Sequence, residues 1–394
     1  QLYDLYLSIK GGDEISKYGL SVSYQNQEGI VKNTGFNRIN LRLISDFKVF
    51  KWLLLDLNAN LLYSHSDLKE MGADKVSNPV FSSLSKAPFM QPFEVNEEGQ
   101  QLPFYDDVDE LGVSNPTAII DLLNAQNDNY RFLGKFGLET IISDKLSFNS
   151  FLGVNLNNTK ESIFFPDKGM DEYSDGEIKN IIKKQHHYLN SFYYDLNFKY
   201  RSLFDNTMEI KSAFGFLLNS NHYEADYGIS KNTPSDEFQS LSSGLPLYGE
   251  VAGNIGKWNW VSLYGNLQTS FKHRYFAGVN ISIDGSSRTG KQAETFLNFF
   301  NTPFGFFPAA NLAWRISEEE FLKNISWLNE LKIRTSYGLS GNDDIGNFSS
   351  LFYYEQRQYR ETSGLVIGTK PNTSLKFETV ITTDFGTDLA LFNE

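Results

Sequence analysis

Apolar residues fall on every second position in run after run of this chain. From Leu53 one face reads Leu53, Leu55, Leu57, Ala59, Leu61 and Tyr63, against Leu54, Asp56, Asn58, Asn60, Leu62 and Ser64. Leu146, Phe148, Leu152, Val154 and Leu156 oppose Ser147, Asn149, Gly153, Asn155 and Asn157. Tyr188, Phe192, Tyr194, Leu196, Phe198 and Tyr200 oppose Ser191, Asp195, Asn197 and Lys199, and Met208, Ile210, Phe214, Phe216 and Leu218 oppose Glu209, Lys211, Gly215 and Asn219. Tyr275–Ile283 and Leu331–Leu339 continue the pattern. A period of two sends alternate side chains to opposite faces of a strand, so the chain is expected to be all-β and antiparallel, with about twelve or thirteen strands.

Strand length separates two architectures that both alternate. Tyr188 to Tyr200 covers twelve steps, which at roughly 3.3 Å each is about 40 Å, or about 28 Å along the membrane normal at a tilt of roughly 45°. That matches the apolar band of a transmembrane β-barrel and is about twice a common sandwich strand. The connections sort by length as well. Short ones are expected at Asp46–Lys51, Ser143–Lys145, Ser202–Asn206 and Lys272–Arg274, and long ones at Ser66–Asn129, Glu161–Gln185, Ala225–Lys257, Gly285–Gly305 and Gly341–Lys376. Tight turns at one end and large loops at the other are a barrel's arrangement, whereas a soluble sandwich has no reason to sort them.

One clearly marked helix is expected. Ser317-Glu318-Glu319-Glu320 has the form of a capping box, with Ser317 as N-cap and Glu320 at N3, followed by Leu322, Ile325 and Leu328 at helical spacing. The first long loop carries Pro79, Pro88, Pro92, Pro103 and Pro116. Asn78-Pro79-Val80 and Asn115-Pro116-Thr117 mark turns there, with a short helix at Thr117–Leu123. Its aromatics Phe89, Phe93, Phe104 and Tyr105 can stack on a sugar or peptide, or pack the loop, and packing is the favoured expectation.

Composition narrows the function. Of 394 residues 33 are Phe and 21 Tyr, an aromatic excess that suits pleated, half-buried surfaces. A formal net charge of −13 removes the electrostatic footprint needed for nucleic acid. With no cysteine, thiolate metal sites, iron–sulfur clusters and disulfides are excluded. No apolar run reaches the roughly 18 residues of a membrane helix, which leaves a barrel open because barrel strands hide their apolar residues at alternate positions. Gln1 leads directly into the strand-like Leu2–Leu7, and Phe385–Asn393 ends as abruptly, so the sequence is expected to be an interior piece of a longer protein.

The candidate chemistry is sparse. Gly285 to Lys291 spells G-x-x-x-x-G-K, but Gln292 stands where a phosphate loop needs Ser or Thr, and no helix start follows. His186 and His187 are adjacent on a strand and so face opposite sides, and His65, His222 and His273 are scattered. Acidic clusters at Asp106, Asp107, Asp109 and Glu110, at Asp171, Glu172, Asp175 and Glu177, and at Asp343 and Asp344 could take calcium in an outer loop. They lack ordered calcium-loop spacing, and no resident cofactor is expected. No catalytic constellation appears, no carboxylate pair stands out for glycoside hydrolysis, and an enzyme is the least favoured class. No catalytic, cofactor-binding or metal-binding residue is assigned, and the substrate-binding residues are unknown.

Specific strings add a resemblance. Gln27–Arg42 (QEGIVKNTGFNRINLR) resembles the early barrel hairpin of SusC/RagA-like TonB-dependent transporters. Ile283-Asp284-Gly285-Ser286-Ser287-Arg288, Phe307-Pro308-Ala309-Ala310 and Ala313–Glu319 (AWRISEE) are similar to that family's most recognisable stretch. Leu331–Asn342, then Asn372 with Leu375–Thr379, fit the strands that follow. The order and spacing agree over nearly the whole chain. The resemblance implies that residues 1–394 form part of a 22-stranded, plugged barrel in the bacterial outer membrane, with the plug and TonB-contacting segment outside this sequence. It further implies TonB-energised import of oligosaccharides or peptides, a SusD-like lipoprotein as lid, and no nucleic-acid partner. No binding residue carries over, because the matching strings are barrel framework. The rival classes are a structural or secretion-associated outer-membrane barrel and a soluble secreted carbohydrate-binding β-protein.

Overall fold

The computed structural model describes residues 1–394 except Asp107, Asp109, Glu110, residues 171–177, Phe296, Phe300, Asn301, Lys323, Asn324, Arg360, Glu361, Asn393 and Glu394. Four strands open the chain: β1 (Leu2–Gly12), β2 (Ser16–Glu28), β3 (Gly35–Phe50) and β4 (Leu53–Leu68). The first long connection holds helix α1 (Pro79–Ser85), a small hairpin of β5 (Phe93–Val95) and β6 (Gln101–Tyr105), and helix α2 (Pro116–Leu122). Six long strands follow: β7 (Asn124–Ser143), β8 (Leu146–Phe165), β9 (Ile181–Phe204), β10 (Met208–Lys231), β11 (Glu250–Phe271) and β12 (Tyr275–Ser286). Next come the short β13 (Leu297–Phe299), β14 (Thr302–Arg315) and β15 (Leu328–Asn342). A second loop hairpin, β16 (Tyr353–Tyr359) with β17 (Thr362–Thr369), precedes β18 (Glu378–Leu391).

Every neighbour in the main sheet is antiparallel and nearly every step joins strands consecutive in sequence. Among the described residues the path runs β1-β2-β3-β4-β7-β8-β9-β10-β11-β12-β14-β15-β18, thirteen strands with β13 attached to β14. This up-and-down meander is the local topology of a barrel wall, and it agrees with the strand number expected from the alternation. β9 and β10 reach 24 residues each, beyond any common sandwich strand.

The register shows why the wall has two chemically distinct faces. Partners across the sheet share a face, so Leu7, Val22, Leu41, Leu61, Phe132 and Leu156 form one continuous apolar row over six strands. Another row runs Phe148, Phe198 and Phe214. Most of these side chains stand in the open; Leu7 is 66% and Phe214 63% exposed. A water-facing surface this apolar over so many strands is unexplained, whereas lipid satisfies it. Aromatics border the same face. Tyr63 and Tyr130 pack 4.8 Å apart towards the long-loop end, and Phe271, Tyr275 and Trp314 stack in sequence at 6.3 Å per step at the short-turn end.

The ends of the elements depart from expectation in three ways. The strands continue past the residues where loops were expected to begin: β4 runs to Leu68 instead of stopping before Ser66, and β10 runs to Lys231 instead of Ala225. On these extensions polar residues such as Asp67, Asp128, Ser162, Lys184 and Asp226 occupy the outward positions, so the contrast between faces that marks a strand disappears. Among the described residues the capping-box helix is absent as well. Ile316–Glu318 makes a single 3-10 turn, its N-cap is Arg315, and no side chain caps it. Ser317 lies inside the turn, and Glu319 is drawn instead to Trp314, Tyr275 and Arg274. Conversely, α1 forms where only a turn was expected. Asn78 accepts from the Val80 and Phe81 amides, and Pro79 occupies the first turn. Asn115 and Pro116 repeat that arrangement at α2, where a short helix was expected.

Candidate functional site: the inner wall and outer mouth

The face opposite the apolar rows is built from the other parity of the same strands. One row crosses Lys17, Asp46, Asp56, Gly137, Phe151, Asp195, Leu217, Ser262 and Asp284. Carboxylates on such a wall need partners, and most have them. Lys135 Nζ lies 2.9 Å from Asp56. Tyr264 donates its hydroxyl to both oxygens of Asp195 at 2.9 Å, and Asn197 Nδ2 donates to Asp195 at 2.6 Å. Asp195 is 5% exposed, so this three-residue cluster is an interior feature of the wall itself. Tyr264 can cross to Asp195 because Gly215 lies beneath it: a Cβ there would meet the Tyr264 ring at 2.5 Å.

Towards the short-turn end the inner face forms a concavity of about 540 Å³. Glu209 is paired with Lys211 at 3.1 Å and Arg201 at 2.8 Å, while Asp388 takes Arg334 at 3.3 Å and Lys332 at 4.0 Å. Each of these carboxylates faces two cations, and with Asp384 on the same lining this part of the wall carries one cation in excess, in a chain that is acidic overall. The concavity can hold a polar or anionic protein surface or solute, but no arrangement in it resembles a nucleophile with its base.

At the long-loop end the connections are packed on one another. Ile119, Leu123, Ala125, Phe165 and Met170 form a buried cluster that joins the first loop to β7, β8 and the loop after β8. Asn115 Nδ2 donates to the Pro92 carbonyl at 2.8 Å and the Asp106 carbonyl at 3.0 Å. The Asp167 amide donates to Asp236 at 3.0 Å, tying two further loops together. The loop aromatics divide: Phe93 and Tyr105 stack 5.3 Å apart across the small hairpin, while Phe89 and Phe104 are exposed. Burial and a bond to Asp121 raise the Tyr105 hydroxyl above the ordinary tyrosine range.

The remaining sequence motifs are scattered as follows. His186 faces outward against Tyr188 and Asn158, and His187 faces inward to Tyr223, so the pair is split across the sheet. Gly285 and Ser286 end β12, and Ser287 to Gln292 turn directly into a loop with no helix. Asp343 bonds Ser286 and Arg288, while Asp107, Asp109, Glu110 and the Asp171–Glu177 cluster lie outside the described residues. Among the described residues no group of three or more His, Asp or Glu is arranged to hold a metal ion. What sequence reasoning missed is the Asp195–Asn197–Tyr264 cluster and the loop cross-ties. Tyr264 lies 69 residues from Asp195 and Asp236 lies 69 from Asp167, so strand register makes the first pairing and returning loops make the second.

No family model matches the chain. It is 28% identical over 395 residues to TonB-dependent receptor P39 of Formosa agariphila, covering 98% of this chain and 35% of that protein. It is 26% identical to TonB-dependent receptor SusC of Bacteroides thetaiotaomicron, covering 99% of this chain and 39% of that one. The chain therefore spans well under half the length of these relatives. In fold it matches the RagAB peptide transporter with a TM-score of 0.81 at 19% identity, covering 100% of this chain and 42% of that one. The siderophore receptor PiuA of Acinetobacter baumannii matches at 0.55 and 10% identity, covering 98% and 52%.

Proposed function

We propose that this chain, which has the barrel frame of the SusC/RagA-like TonB-dependent receptors, is a wall segment of a bacterial outer-membrane nutrient importer. The observation that carries the proposal is the division of one antiparallel sheet into a lipid-compatible face and a mainly polar inner face. The similarity to TonB-dependent receptors over almost the full chain supports it. In this reading the apolar face dissolves in the bilayer, and the strand ladders satisfy the backbone where water is absent. The inner wall packs on a polar plug, and the cross-tied outer loops meet cargo and a SusD-like lipoprotein lid. Oligosaccharides or peptides are the cargo classes, and TonB supplies the energy from the inner membrane.

The test uses the intact protein in its own bacterium. Deleting its gene should abolish uptake of a labelled oligosaccharide or peptide pool, and collapsing the proton gradient should abolish the same uptake in the parent strain. A lipoprotein should also co-purify with the detergent-extracted receptor. Unchanged uptake after deletion would favour the structural or secretion-associated barrel, and extraction without detergent would reject the membrane assignment altogether.

A further inference from the structure

The G-x-x-x-x-G-K stretch that fails as a phosphate loop has a different job in the fold. Arg288 sits in it, just beyond the outer end of β12, with its side chain 12% exposed. Its Nε donates to Asn347 Oδ1 at 2.8 Å, its Nη1 donates to the Asp343 carbonyl at 3.3 Å, and its guanidinium lies 4.8 Å over the Trp258 ring. The Asp343 carboxylate is 3.6 Å away and itself accepts from Ser286 Oγ at 2.6 Å. One planar side chain thus joins β11, β12 and the start of the loop 343–377. Only a rigid fork with several donors and a stackable face meets all of these partners together.

The other foot of that loop is fastened by the same turn. The Gly290 amide donates to the Leu375 carbonyl at 2.7 Å and the Gln292 amide to the Thr373 carbonyl at 2.8 Å. Phe377 packs edge-on to both Trp260 and Phe307. The two feet are joined by the Asn372 amide donating to the Ser349 carbonyl at 3.1 Å. Between the loop and the β12 turn lies a cavity of about 430 Å³ bounded by Ser286, Thr289, Ser350, Phe352 and Thr373. Backbone also leaves room for this arrangement at one point: a Cβ at Gly256 would meet Asn347 Nδ2 at 2.6 Å.

We propose that Arg288 is a latch that holds the two feet of the outer loop, residues 343–352 and 371–377, down on the barrel mouth, so that the cavity between them has a fixed position. Arg288 is a positioning residue in this scheme, acting through Asn347, Asp343 and Trp258. The proposal does not depend on what the receptor carries.

Amide hydrogen exchange on the intact receptor in detergent tests it. Arg288→Ala should speed exchange at least tenfold at Ile345, Gly290, Gln292 and Asn372, while the β11–β12 ladder around Leu263 and Tyr264 stays unchanged. Arg288→Lys keeps the charge but not the fork, and should behave like the alanine variant. Unchanged exchange in Arg288→Ala, rescue by lysine, or equal acceleration throughout β11 and β12 would each overturn the latch. If Arg288→Ala fails to assemble, Asn347→Ala and Gly256→Ala remove or displace one arm without touching Arg288. Both should then loosen Ile345 and Asn372, and protection equal to the parent's would overturn the proposal.

Discussion

Two single residues carry sharp expectations. Gly215 has no side chain because Tyr264 passes over it on the way to Asp195. Gly215→Ala should force the ring aside and leave Asp195 without its hydroxyl donor, costing about 1–3 kcal/mol as overpacking does elsewhere; denaturant unfolding of the vesicle-embedded receptor reads that cost. Glu319, in the turn at the short-turn rim, accepts from the Tyr275 hydroxyl at 2.6 Å and Trp314 Nε1 at 3.0 Å. Those bonds, the tyrosine's first, hold its carboxyl below the usual range. A depressed folded-state value means the tie is fully present above the unfolded glutamate's value of about 4.3 and is lost as pH falls through the lower, folded one. The Trp314 indole N–H resonance should shift in that acid window and should be insensitive to it in Glu319→Gln. An indole signal that titrates identically in both proteins would remove Glu319 from the account.

At the scale of elements, the two loop helices make the next prediction. Asn78 and Asn115 both cap their helices, and such a cap replaced by alanine typically costs about 1 kcal/mol. Asn115 also anchors the Pro92 and Asp106 carbonyls. Asn115→Ala should therefore open residues 92–106 to protease markedly faster than Asn78→Ala does, and equal cleavage of the two would contradict the difference. These helices also mark where the sequence was and was not legible. The strands β7 to β10 could be read directly, because lipid on one side and polar surroundings on the other impose a clean period of two. Their outer ends could not, since Asp128, Ser162, Lys184 and Asp226 stand above the apolar band and the contrast between faces is lost there. The Asn-Pro pairs at 78–79 and 115–116 carry a helix signal, an N-cap followed by proline at the first position, which at 78–79 reads equally well as a turn. The converse arises at Ser317. The spacing of a capping box was present, but three partners outside the segment compete for Glu319 and win. The Asp195 cluster and the Arg288 latch had no sequence signature, because each is assembled by register or by loops that return from far along the chain.

For the whole molecule the decisive property is that one sheet has two solvents. Leu152 and Asn149 sit on the same strand, β8, at opposite parity. Leu152 lies between Phe136 and Tyr194 on the apolar face, roughly midway between the two aromatic borders. Asn149 lies between Glu139 and Asn197 on the polar one. In water the two positions would tolerate a charge about equally, and a soluble sheet would, if anything, be disturbed by both. In a bilayer they cannot be equivalent: an arginine near the midplane of the lipid face costs about 2–4 kcal/mol, while on the inner face it meets water, protein and the Glu139 carboxylate. Leu152→Arg should therefore lower the unfolding free energy of the intact receptor in lipid vesicles by about that amount, and Asn149→Arg by less than half of it. The same pair measured in detergent should converge, because a micelle lets a long cationic side chain reach water. If both substitutions cost the same in vesicles, the division of the sheet into a lipid face and an inner face is wrong, and with it the importer reading that rests on it.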